Sequence, residues 1–376
     1  MPGGPPPRVV VAGGHSAGHI EPAMNFADAL RRLEPTAEIT ALGTVRGLDT
    51  TLVPARGYPL ELIPPAPLPR RPNRALLQTP GRLRDSVRAA EAVLDRVRAE
   101  VVVGFGGYVA MPAYLAARRQ GLPIVVHEAN ARPGVANRVA ARMTTHVFTA
   151  APSVRLAHAT AIGIPLRPAI TRLDRPALRE AARRRFGLRP DGPVLMVTGG
   201  SQGARSINAA VSGAAAALRA TGVQVLHITG PQHVVEAPDR DPADPPYVIM
   251  PYVDEMQYAY AAADFVICRS GAMTCAELAA VGLPTAYVPL PLRGGEQRLN
   301  AEPVIAAGGA LLVDDADIDP TWIETTLIPV LTDPERIAKM SAHASAAGAP
   351  DADVILAGHV LTTVAEQRSI ASRGSE

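Results

Sequence analysis

The sequence predicts an α/β protein with two similar domains, each built on a doubly wound parallel sheet. An apolar run, a glycine pair and the start of a helix occur twice, at Val9–His19 and at Val194–Ala204. A strand, a glycine-rich turn, a helix and a Gly-Leu-Pro triplet before the next strand also occur twice, at Val101–Val126 and Phe265–Val288. Because 376 residues exceed one typical domain, this doubling indicates two domains.

Short apolar runs alternate with amphipathic segments along the chain, which is the pattern of βαβ units. Continuous apolar strands of this kind suit parallel sheets that are covered on both faces. Helices are expected after most strands: near Ile20, with Pro22 in the first turn, at Pro176–Phe186, and at Ala352–Gln367. The expected strands are Arg8–Ala12, Glu38–Leu42, Val101–Gly104, Ile124–His127, Val147–Thr149, Val194–Thr198, Val225–Thr229, Val248–Met250, Phe265–Cys268 and Thr285–Val288.

The stiff segment Gly163–Pro168 indicates the domain boundary. We therefore expect one domain at 8–166 and a second at 167–349. In folds with two such domains a last helix, here about 350–367, can pack back on the first domain, and the sequence leaves this open. The longest uncharged run, Val101–Ala117, is too short to span a membrane and is broken by glycines, so a soluble or peripheral protein is expected.

Composition narrows the classes of function. The net charge of +2 argues against a nucleic-acid partner. Cys268 and Cys275 fit no metal or redox spacing and are expected in a buried strand and a buried helix. We therefore expect no disulfide and a reducing compartment.

Arginines are concentrated between Arg70 and Arg98, after the rigid apolar segment Ile63–Pro69. One interpretation is a solvated helix face. The other is docking on anionic lipid headgroups, where each cation near the surface adds about 1 kcal/mol. The arginines are Arg70, Arg71, Arg74, Arg82, Arg84, Arg88, Arg96 and Arg98.

A glycine-rich turn between a strand and a helix suits a phosphate, because backbone N–H groups and the helix dipole meet there. Gly13–Gly18 has the glycine spacing of a Walker loop, but His19 and Ile20 replace its Lys and Ser/Thr, which disfavours an ATPase or kinase. The dinucleotide pattern is also absent. His19, at the helix start, is either a backbone-bonded helix residue or a base or phosphate contact.

Three further polar segments follow predicted strands. His127–Asn130 closes a strand and lacks the second histidine of a zinc motif, so Asn130 is either structural or a ligand contact. Glu277 lies about one turn into the helix after Arg269, where it can reach a ligand or only complement the helix dipole. Arg293–Asn300 is expected to be a polar loop. It is either plain surface or a sugar-binding loop, in which Glu296 and Gln297 suit sugar hydroxyls.

Taken together, these segments resemble the MurG family, in its actinobacterial variant, over nearly the whole chain. They occur in the family's order and at plausible distances, and the set is far more specific than any single loop. The segments are Gly13–His19, Gly104–Tyr108, His127–Asn130, Gly199–Ala204, Arg269–Glu277 and Gly295–Ala301.

The resemblance implies a GT-B fold, with two Rossmann-like domains and a cleft between them. It implies inverting transfer of GlcNAc from UDP-GlcNAc to the muramyl C4 hydroxyl of lipid I, giving lipid II. It also implies a peripheral enzyme on the cytoplasmic face of the plasma membrane, with an anionic membrane surface at the first domain and other cell-wall synthesis proteins as further partners. No cofactor is expected. The cleft motifs hold no Asp-x-Asp pair or His/Cys cluster, so no metal is expected either.

The resemblance also implies residue roles. On the donor side, Ser201 contacts the diphosphate, Val253 reads uracil through the backbone, and Glu277 holds the ribose. Ala272, Met273 and Thr274 line the phosphate end, and Glu296 with Gln297 grips the sugar. Asn130 and Arg167 meet the donor from the first domain and the hinge. Ser16, Ala17, Gly18 and His19 form the acceptor loop, with His19 as the candidate base.

Two positions depart from the family pattern, and three other classes of function remain open. His15 stands where the family usually has glycine, and Ser16 where it usually has threonine. The alternatives are a UDP-sugar epimerase of the same architecture, a natural-product glycosyltransferase for which His15 marks a changed acceptor, and a non-enzymatic scaffold.

Overall fold

The computed structural model describes residues 5–66, 75–236, 241, 243–291 and 294–373, with the backbone alone for residues 75–79. The chain divides into two compact units. The first unit contains Met1–Leu166 and Pro350–Glu376, and the second unit is Arg167–Ala349. Each unit is built on one parallel sheet, which confirms the predicted fold class.

The sheet of the first unit has the strand order β3-β2-β1-β4-β5-β6-β7, with every neighbouring pair parallel. Its strands are β1 Arg8–Gly13, β2 Glu38–Gly43, β3 Leu60–Leu62, β4 Val101–Gly106, β5 Ile124–Glu128, β6 Val147–Thr149 and β7 Ala159–Ala161. The helices between them are α1 Ala17–Leu33, α2 Asp49–Ala55, α3 Ala75–Arg96, α4 Ala110–Arg119 and α5 Val135–Ala140.

The second unit repeats this topology, with the strand order β10-β9-β8-β11-β12-β13. Its strands are β8 Val194–Thr198, β9 Gln224–Ile228, β10 Tyr247–Met250, β11 Phe265–Cys268, β12 Thr285–Tyr287 and β13 Ala310–Leu312. Its helices are α6 Pro168–Thr171, α7 Arg175–Arg185, α8 Arg205–Gly213, α9 Ala215–Ala220, α10 Met256–Ala262, α11 Ala272–Ala280, α12 Glu296–Ala306, α13 Pro320–Trp322, the π-helical turn Ile323–Leu327, α14 Ile328–Leu331 and α15 Pro334–Ala346.

Alternation along the strands produces the two hydrophobic layers of the first unit. Val9 and Val11 pack in the cluster that contains Phe26 of α1, whereas Val10 packs in the cluster that contains Tyr114 of α4. Successive side chains of a strand point to opposite faces, so a strand that is apolar at every position is buried on both. This explains why the valine runs are apolar at every position instead of alternating between apolar and polar residues.

The last helix, α16 Ala352–Arg373, belongs to the first unit. Leu356 and Val360 are fully buried in the same cluster as Phe26 of α1. Asp353 accepts from Arg32 Nη2 over 2.6 Å, and Arg368 Nε donates to Glu100 Oε1 over 2.7 Å. The helix therefore completes the apolar layer over α1, and two ion pairs fix its ends.

Each predicted strand is present, with bounds that differ by at most two residues. The predicted helix near Ile20 begins earlier, at Ala17, and the terminal helix runs on to Arg373. Cys268 and Cys275 are free and buried in β11 and α11, as predicted. Strands β3, β7 and β13 are additions that the sequence did not predict.

Candidate active site

The topology places the polar motifs at the two points where strand order reverses. In open α/β sheets, ligands bind at the carboxyl ends of the strands at such a switch point. In the first unit, the loops after β1 and β4 meet there, and in the second unit the loops after β8 and β11 meet. These four loops carry most of the candidate site residues.

A buried carboxylate holds the first glycine loop. The backbone N–H of His15 donates to Asp49 at the start of α2, over 3.2 Å to Oδ1 and 3.0 Å to Oδ2. Burial raises the pKa of Asp49, while the hydrogen bond from His15 acts in the opposite direction. His15 has φ 77°, a left-handed conformation, and its ring lies 4.9 Å from that of Tyr108. Asp49 therefore fixes a loop that His15 occupies under strain.

The residues of the predicted acceptor loop, Ser16 to His19, lie at the start of α1. Ser16 is the N-cap residue, and its carbonyl oxygen accepts from the N–H of His19 over 3.0 Å. Ala17 and Gly18 open the helix, and a Cβ on Gly18 would meet no atom within 4 Å. The loop thus presents small residues at a helix N-terminus, where the dipole favours an anion.

The imidazole of His19 is oriented by strand β4. Its Nδ1 lies 2.9 Å from the carbonyl oxygen of Phe105. A carbonyl only accepts, so this contact requires the proton on Nδ1, and the neutral ring then carries its basic lone pair on Nε2. The contact therefore sets the tautomer that a general base needs.

The glycine turn after β4 packs against both loop and histidine. Gly107 has φ 81°, and a Cβ at this position would lie 2.5 Å from the carbonyl oxygen of Gly14. A Cβ on Gly106 would lie 3.2 Å from the His19 ring. Real side chains essentially never make a contact as close as the first, so residue 107 must be glycine for the two loops to meet.

Asn130 lies at the carboxyl end of β5 beside a buried carboxylate. Glu128 Oε1 accepts from the backbone N–H of Asn130 over 3.0 Å and from its side-chain Nδ2 over 3.3 Å. Oε2 accepts from Gly134 and Asn137, both over 2.9 Å. Burial raises the pKa of Glu128. The carboxylate thus organises residues 130–137 and occupies part of the hydrogen-bonding capacity of Asn130.

In the second unit, Ser201 is exposed in the turn after β8, four residues before α8 begins at Arg205. Gly203 has φ 75°, and a Cβ there would lie 2.2 Å from the carbonyl oxygen of Thr229 after β9. The close approach of these two segments therefore shapes the second glycine loop, while Ser201 stays at its open side.

Helix α11 combines an open first turn with a held carboxylate. Ala272, Met273 and Thr274 form that turn and are half-buried, with Gly271 as the N-cap. Glu277 Oε2 accepts from the hydroxyl of Tyr260 over 2.7 Å. An arginine of the same unit, Arg167, places Nη2 3.9 Å from Glu277 Oε1. The structure thus brings Arg167 and Glu277 together, beside helix N–H groups that suit a phosphate.

Arg269, which begins the loop after β11, is held by polar contacts. Its Nη1 lies 2.5 Å from Asp315 Oδ1, and its Nη2 donates to Ser206 Oγ over 3.0 Å. Ser206 also donates to Asp315 over 2.6 Å. This triad ties the start of α8 to the segment before α11 in the second unit.

The prediction of a loop over Arg293–Asn300 is wrong for its second half. Glu296 and Gln297 form the first turn of α12, after Gly295 as a left-handed N-cap. The amide oxygen of Gln297 accepts from the N–H of Leu290 over 2.8 Å, so its NH₂ group is the part suited to a sugar hydroxyl. Arg293 lies outside the described residues. Val253 is nearly buried, at 9% exposure, which fits a contact through its backbone rather than its side chain.

Sequence reasoning missed Asp49 and Tyr260. Asp49 lies 34 positions from the residue it bonds, and Tyr260 lies 17 positions from Glu277. Neither belongs to a glycine-rich motif. The only signal was their placement: Asp49 opens a helix, and Tyr260 lies in the alanine-rich helix before β11.

Two kinds of feature are absent from the described ranges. No group of three or more His, Cys, Asp or Glu side chains with metal-binding geometry occurs among those residues. No helix described there is long and apolar enough to cross a membrane.

Two parallel-sheet units with glycine loops at their switch points form the GT-B architecture, and matches to family models define the class as a glycosyltransferase. Residues 9–149 match the glycosyltransferase family 28 N-terminal domain, and residues 194–355 match the family 28 C-terminal domain. The solved structure of Acinetobacter baumannii MurG matches with a TM-score of 0.76 and 24% identity, over 95% of this chain and 100% of that one.

Curated relatives define the family further. The chain is 57% identical to the UDP-N-acetylglucosamine–N-acetylmuramyl-(pentapeptide) pyrophosphoryl-undecaprenol N-acetylglucosamine transferase of Streptomyces avermitilis, over 95% of this chain and 99% of the relative. It is 59% identical to the transferase of the same name from Mycolicibacterium smegmatis, over 92% and 91%. The chain therefore belongs to the MurG family of glycosyltransferase family 28.

A UDP-GlcNAc 2-epimerase from Neisseria meningitidis is also similar in structure. Its TM-score is 0.65 at 15% identity, over 94% of this chain and 100% of that one. Identity this low indicates a shared fold and nothing about activity.

Proposed function

We propose that the protein moves GlcNAc from UDP-GlcNAc to the muramyl C4 hydroxyl of undecaprenyl-pyrophosphoryl-MurNAc-pentapeptide, lipid I, giving lipid II for peptidoglycan synthesis. The anomeric carbon is inverted in a single displacement. Relatives that carry the transferase name are 54% to 59% identical over at least 92% of the chain. The structural observation that carries the proposal is the Glu277 carboxylate, held by Tyr260 beside the open first turn of α11.

The donor binds to the second unit in this proposal. Glu277 accepts from the ribose hydroxyls, and the backbone at Val253 pairs with uracil. Ser201 and the first turn of α11, from Ala272 to Thr274, face the diphosphate. Arg167 lies close enough to Glu277 to contact the same nucleotide. Glu296 and the NH₂ group of Gln297 bind the sugar hydroxyls.

The departing diphosphate is stabilised by groups that are already in place. As the bond between the anomeric carbon and the phosphate oxygen breaks, negative charge develops on UDP. Backbone N–H groups at the start of α11 and the Ser201 hydroxyl lie at a helix terminus and a glycine loop, which favour that charge. Preorganised donors of this kind act without reorganisation at the moment of reaction.

The acceptor binds at the first glycine loop, in residues 16–19. The muramyl C4 oxygen attacks the anomeric carbon, and its proton passes to Nε2 of His19. The Phe105 carbonyl holds the Nδ1–H tautomer, which leaves Nε2 as the basic atom. Asn130 contacts the donor from the first unit, with its backbone fixed by Glu128.

Membrane docking uses the basic helix α3. Arg82, Arg84 and Arg88 are exposed on it, and Arg96 is exposed but paired with Glu61 over 2.5 Å. Arg70, Arg71, Arg74 and residues 67–69 of the apolar segment lie outside the described residues. A lipid-linked acceptor and a nucleotide donor fit an enzyme that works peripherally, on the cytoplasmic face of the plasma membrane, near other cell-wall synthesis proteins.

The other classes have less support. The relatives that match at more than half identity carry the name of a lipid I transferase, not of a natural-product glycosyltransferase or an epimerase. A scaffold without activity would not need Ser201, Glu277 and Gln297 in place together.

Radiolabelled UDP-GlcNAc and a lipid I analogue test the proposal, with EDTA in a parallel reaction. The expected result is label in the lipid product and release of UDP only when the acceptor is present, with or without EDTA. Conversion of UDP-GlcNAc without an acceptor would instead identify an epimerase. His19→Ala should lower kcat by about 100-fold or more, since a general base contributes that much. Near-normal turnover of this variant would refute the assignment of the base.

A further inference from the structure

The first unit has a concave surface at the amino ends of its strands, opposite to the glycine loops. A cavity of about 550 Å³ is formed where β5 and β6 begin. In a parallel sheet all strands begin at one edge and end at the other. The glycine loops follow the ends of β1 and β4, so this cavity lies at the edge that the proposed reaction does not use. Its lining includes Arg118, Leu122, Arg142, Met143, His146 and His158.

The cavity is cationic. Two arginines and two histidines line it, and its lining contains no Asp or Glu. Neither Arg118 nor Arg142 has a carboxylate partner among the ion pairs of the described ranges, unlike the neighbouring Arg119, which pairs with Glu91 over 2.9 Å. Guanidinium groups that lack a carboxylate are ready to bind a phosphate in the bidentate manner they favour.

A second histidine orients His146. Nε2 of His359 on α16 lies 2.9 Å from Nδ1 of His146, and the His359 ring lies 4.7 Å from that of Phe148 in an edge-on arrangement. When His359 donates, neutral His146 carries its proton on Nε2 and is itself a donor there. In that tautomer, His359 acts as a positioning residue that prepares His146 to donate to an anion.

His158 also lines the cavity, at an exposed position in the turn before β7. It has φ 60°, in the left-handed region that non-glycine residues rarely adopt. Histidine is among the few non-glycine residue types that adopt this conformation more often than most. Here this conformation holds an imidazole in the lining of the cavity.

We propose that this cavity binds a phosphorylated small molecule, at a site separate from the donor and acceptor sites. Arg118 and Arg142 hold the phosphate groups, and His146 and His158 donate further hydrogen bonds. Leu122 and Met143 provide apolar surface for the rest of the ligand. The cavity volume falls within the range of about 300–1,000 Å³ that is typical of small-molecule sites.

Calorimetry with pyrophosphate as the probe tests the proposal on the full-length protein. Saturating UDP is included, because the proposed donor site would also take a diphosphate. The double variant Arg118→Gln/Arg142→Gln should lose at least about tenfold in affinity, since hydrogen bonds to charged groups contribute about 1.5–3 kcal/mol. A UDP titration without pyrophosphate is run first, so failure of the proposed donor site is seen separately from failure of this cavity.

The matched control is Arg119→Gln/Arg138→Gln. It removes the same charge at nearby positions. Arg118 and Arg119 both lie in the last turn of α4, and Arg138 of α5 lies four residues before Arg142, which follows the end of that helix. The control should bind pyrophosphate as the wild type does. Equal loss in both double variants, or no binding by the wild type at about 0.15 M salt, would overturn the proposal.

Imidazole NMR signals give a second readout. Pyrophosphate should shift the ring signals of His146 and His158 but not those of His227, which is buried in the second unit. In His359→Phe the shift of His146 should weaken while that of His158 remains. An unchanged His146 response would remove His359 from the site, and no shift of either ring would contradict the proposal.

Discussion

The hydroxyl of Tyr260 donates a hydrogen bond to Oε2 of Glu277 over 2.7 Å, from the helix before β11 to the helix after it. Burial raises the pKa of Tyr260 well above its ordinary value, and the Glu277 carboxylate raises it further. The phenol therefore stays protonated at any physiological pH and always donates. This contact fixes one oxygen of the proposed ribose ligand, so donor affinity should depend on Tyr260.

Tyr260→Phe removes the hydroxyl and keeps the ring. We expect the KM for UDP-GlcNAc to rise about tenfold with kcat changed by less than about threefold, since a hydrogen bond to a charged group contributes about 1.5–3 kcal/mol. Steady-state kinetics at saturating acceptor measure this. Because the lost contact orients the carboxylate toward the ribose, a donor with 2′-deoxyribose should be affected less than UDP-GlcNAc.

Tyr258→Phe is the matched control. Tyr258 lies on the same helix, and its ring packs under Arg185 with the guanidinium carbon 4.3 Å from the centroid. Loss of its hydroxyl should leave the donor KM unchanged. If both variants raise KM equally, or if Tyr260→Phe changes only kcat, then Tyr260 does not position the ribose ligand.

Gly107→Ala should disrupt the first glycine loop. The new Cβ would lie 2.5 Å from the carbonyl oxygen of Gly14, so one of the two loops must move. The position of His19 between these loops would then change. We expect transfer to fall more than about tenfold, with a loss of roughly 2–3 kcal/mol in the free energy of unfolding. The transfer assay and urea denaturation measure these two quantities.

Gly57→Ala separates steric overlap from backbone strain. Gly57 has φ 72°, but a Cβ there meets no atom within 4 Å. This variant should lose about 1 kcal/mol of stability and retain full activity. Full activity of Gly107→Ala as well would show that the contact with Gly14 does not matter for transfer.

His15 provides a test of strain at the loop itself. Both His15→Gly and His15→Ala lose the ring contact with Tyr108, but only the alanine keeps a Cβ at φ 77°. The glycine variant should therefore be more stable than the alanine variant by about 1 kcal/mol, as judged by urea denaturation. At Ser16, where φ is −123°, glycine should bring no such advantage over alanine. The same order at both positions would rule out strain as the cause.

Each unit contains a buried histidine that should make its free energy of unfolding depend on pH. Burial lowers the pKa of His127 and of His227 to about 4, from an ordinary value of 6.5. The unfolded chain then binds more protons than the folded one between these values, so stability is complete above about pH 6.5 and is lost as the pH falls toward 4. The loss amounts to roughly 3 kcal/mol per histidine at most.

Hydrogen exchange of amides in β5 and β9, followed from near-neutral pH to about pH 5, resolves the two units. His127→Gln should flatten the pH dependence in β5 and leave that of β9 intact. His158→Gln, at an exposed position, should change neither. An unaltered slope in His127→Gln would show that another group causes the acid sensitivity.

The predicted strands and the strands that the sequence did not predict lie at different places in the two sheets. The predicted strands include all the central ones, because burial on two faces requires a continuous apolar run. Three missed strands, Leu60–Leu62, Ala159–Ala161 and Ala310–Leu312, are three-residue strands at sheet edges. Ala159–Ala161 is exposed throughout, so no apolar pattern marks it. These three short edge strands are defined by their neighbour rather than by their own composition, whereas the edge strand β10 has an apolar run that predicts it.

The candidate site also has parts that the sequence predicts and parts that it does not. Glycine loops could be read from the sequence, because close approach and positive φ restrict the residue type to glycine. The two glycines before Glu296 and Gln297 predict a loop, but Gly295 caps a helix instead. Asp49 and Tyr260 support the site from other helices, and no local pattern encodes a contact that the tertiary fold creates.

The position of α16 also governs the order in which the chain can fold. Leu356 and Val360 complete the layer over α1, yet they are synthesised after all of Arg167–Ala349. On the ribosome, the second unit can therefore finish folding while α1 still lacks its cover. A nascent chain would expose that apolar surface until α16 emerges, which makes the interval between the synthesis of the second unit and that of α16 open to chaperone capture or aggregation.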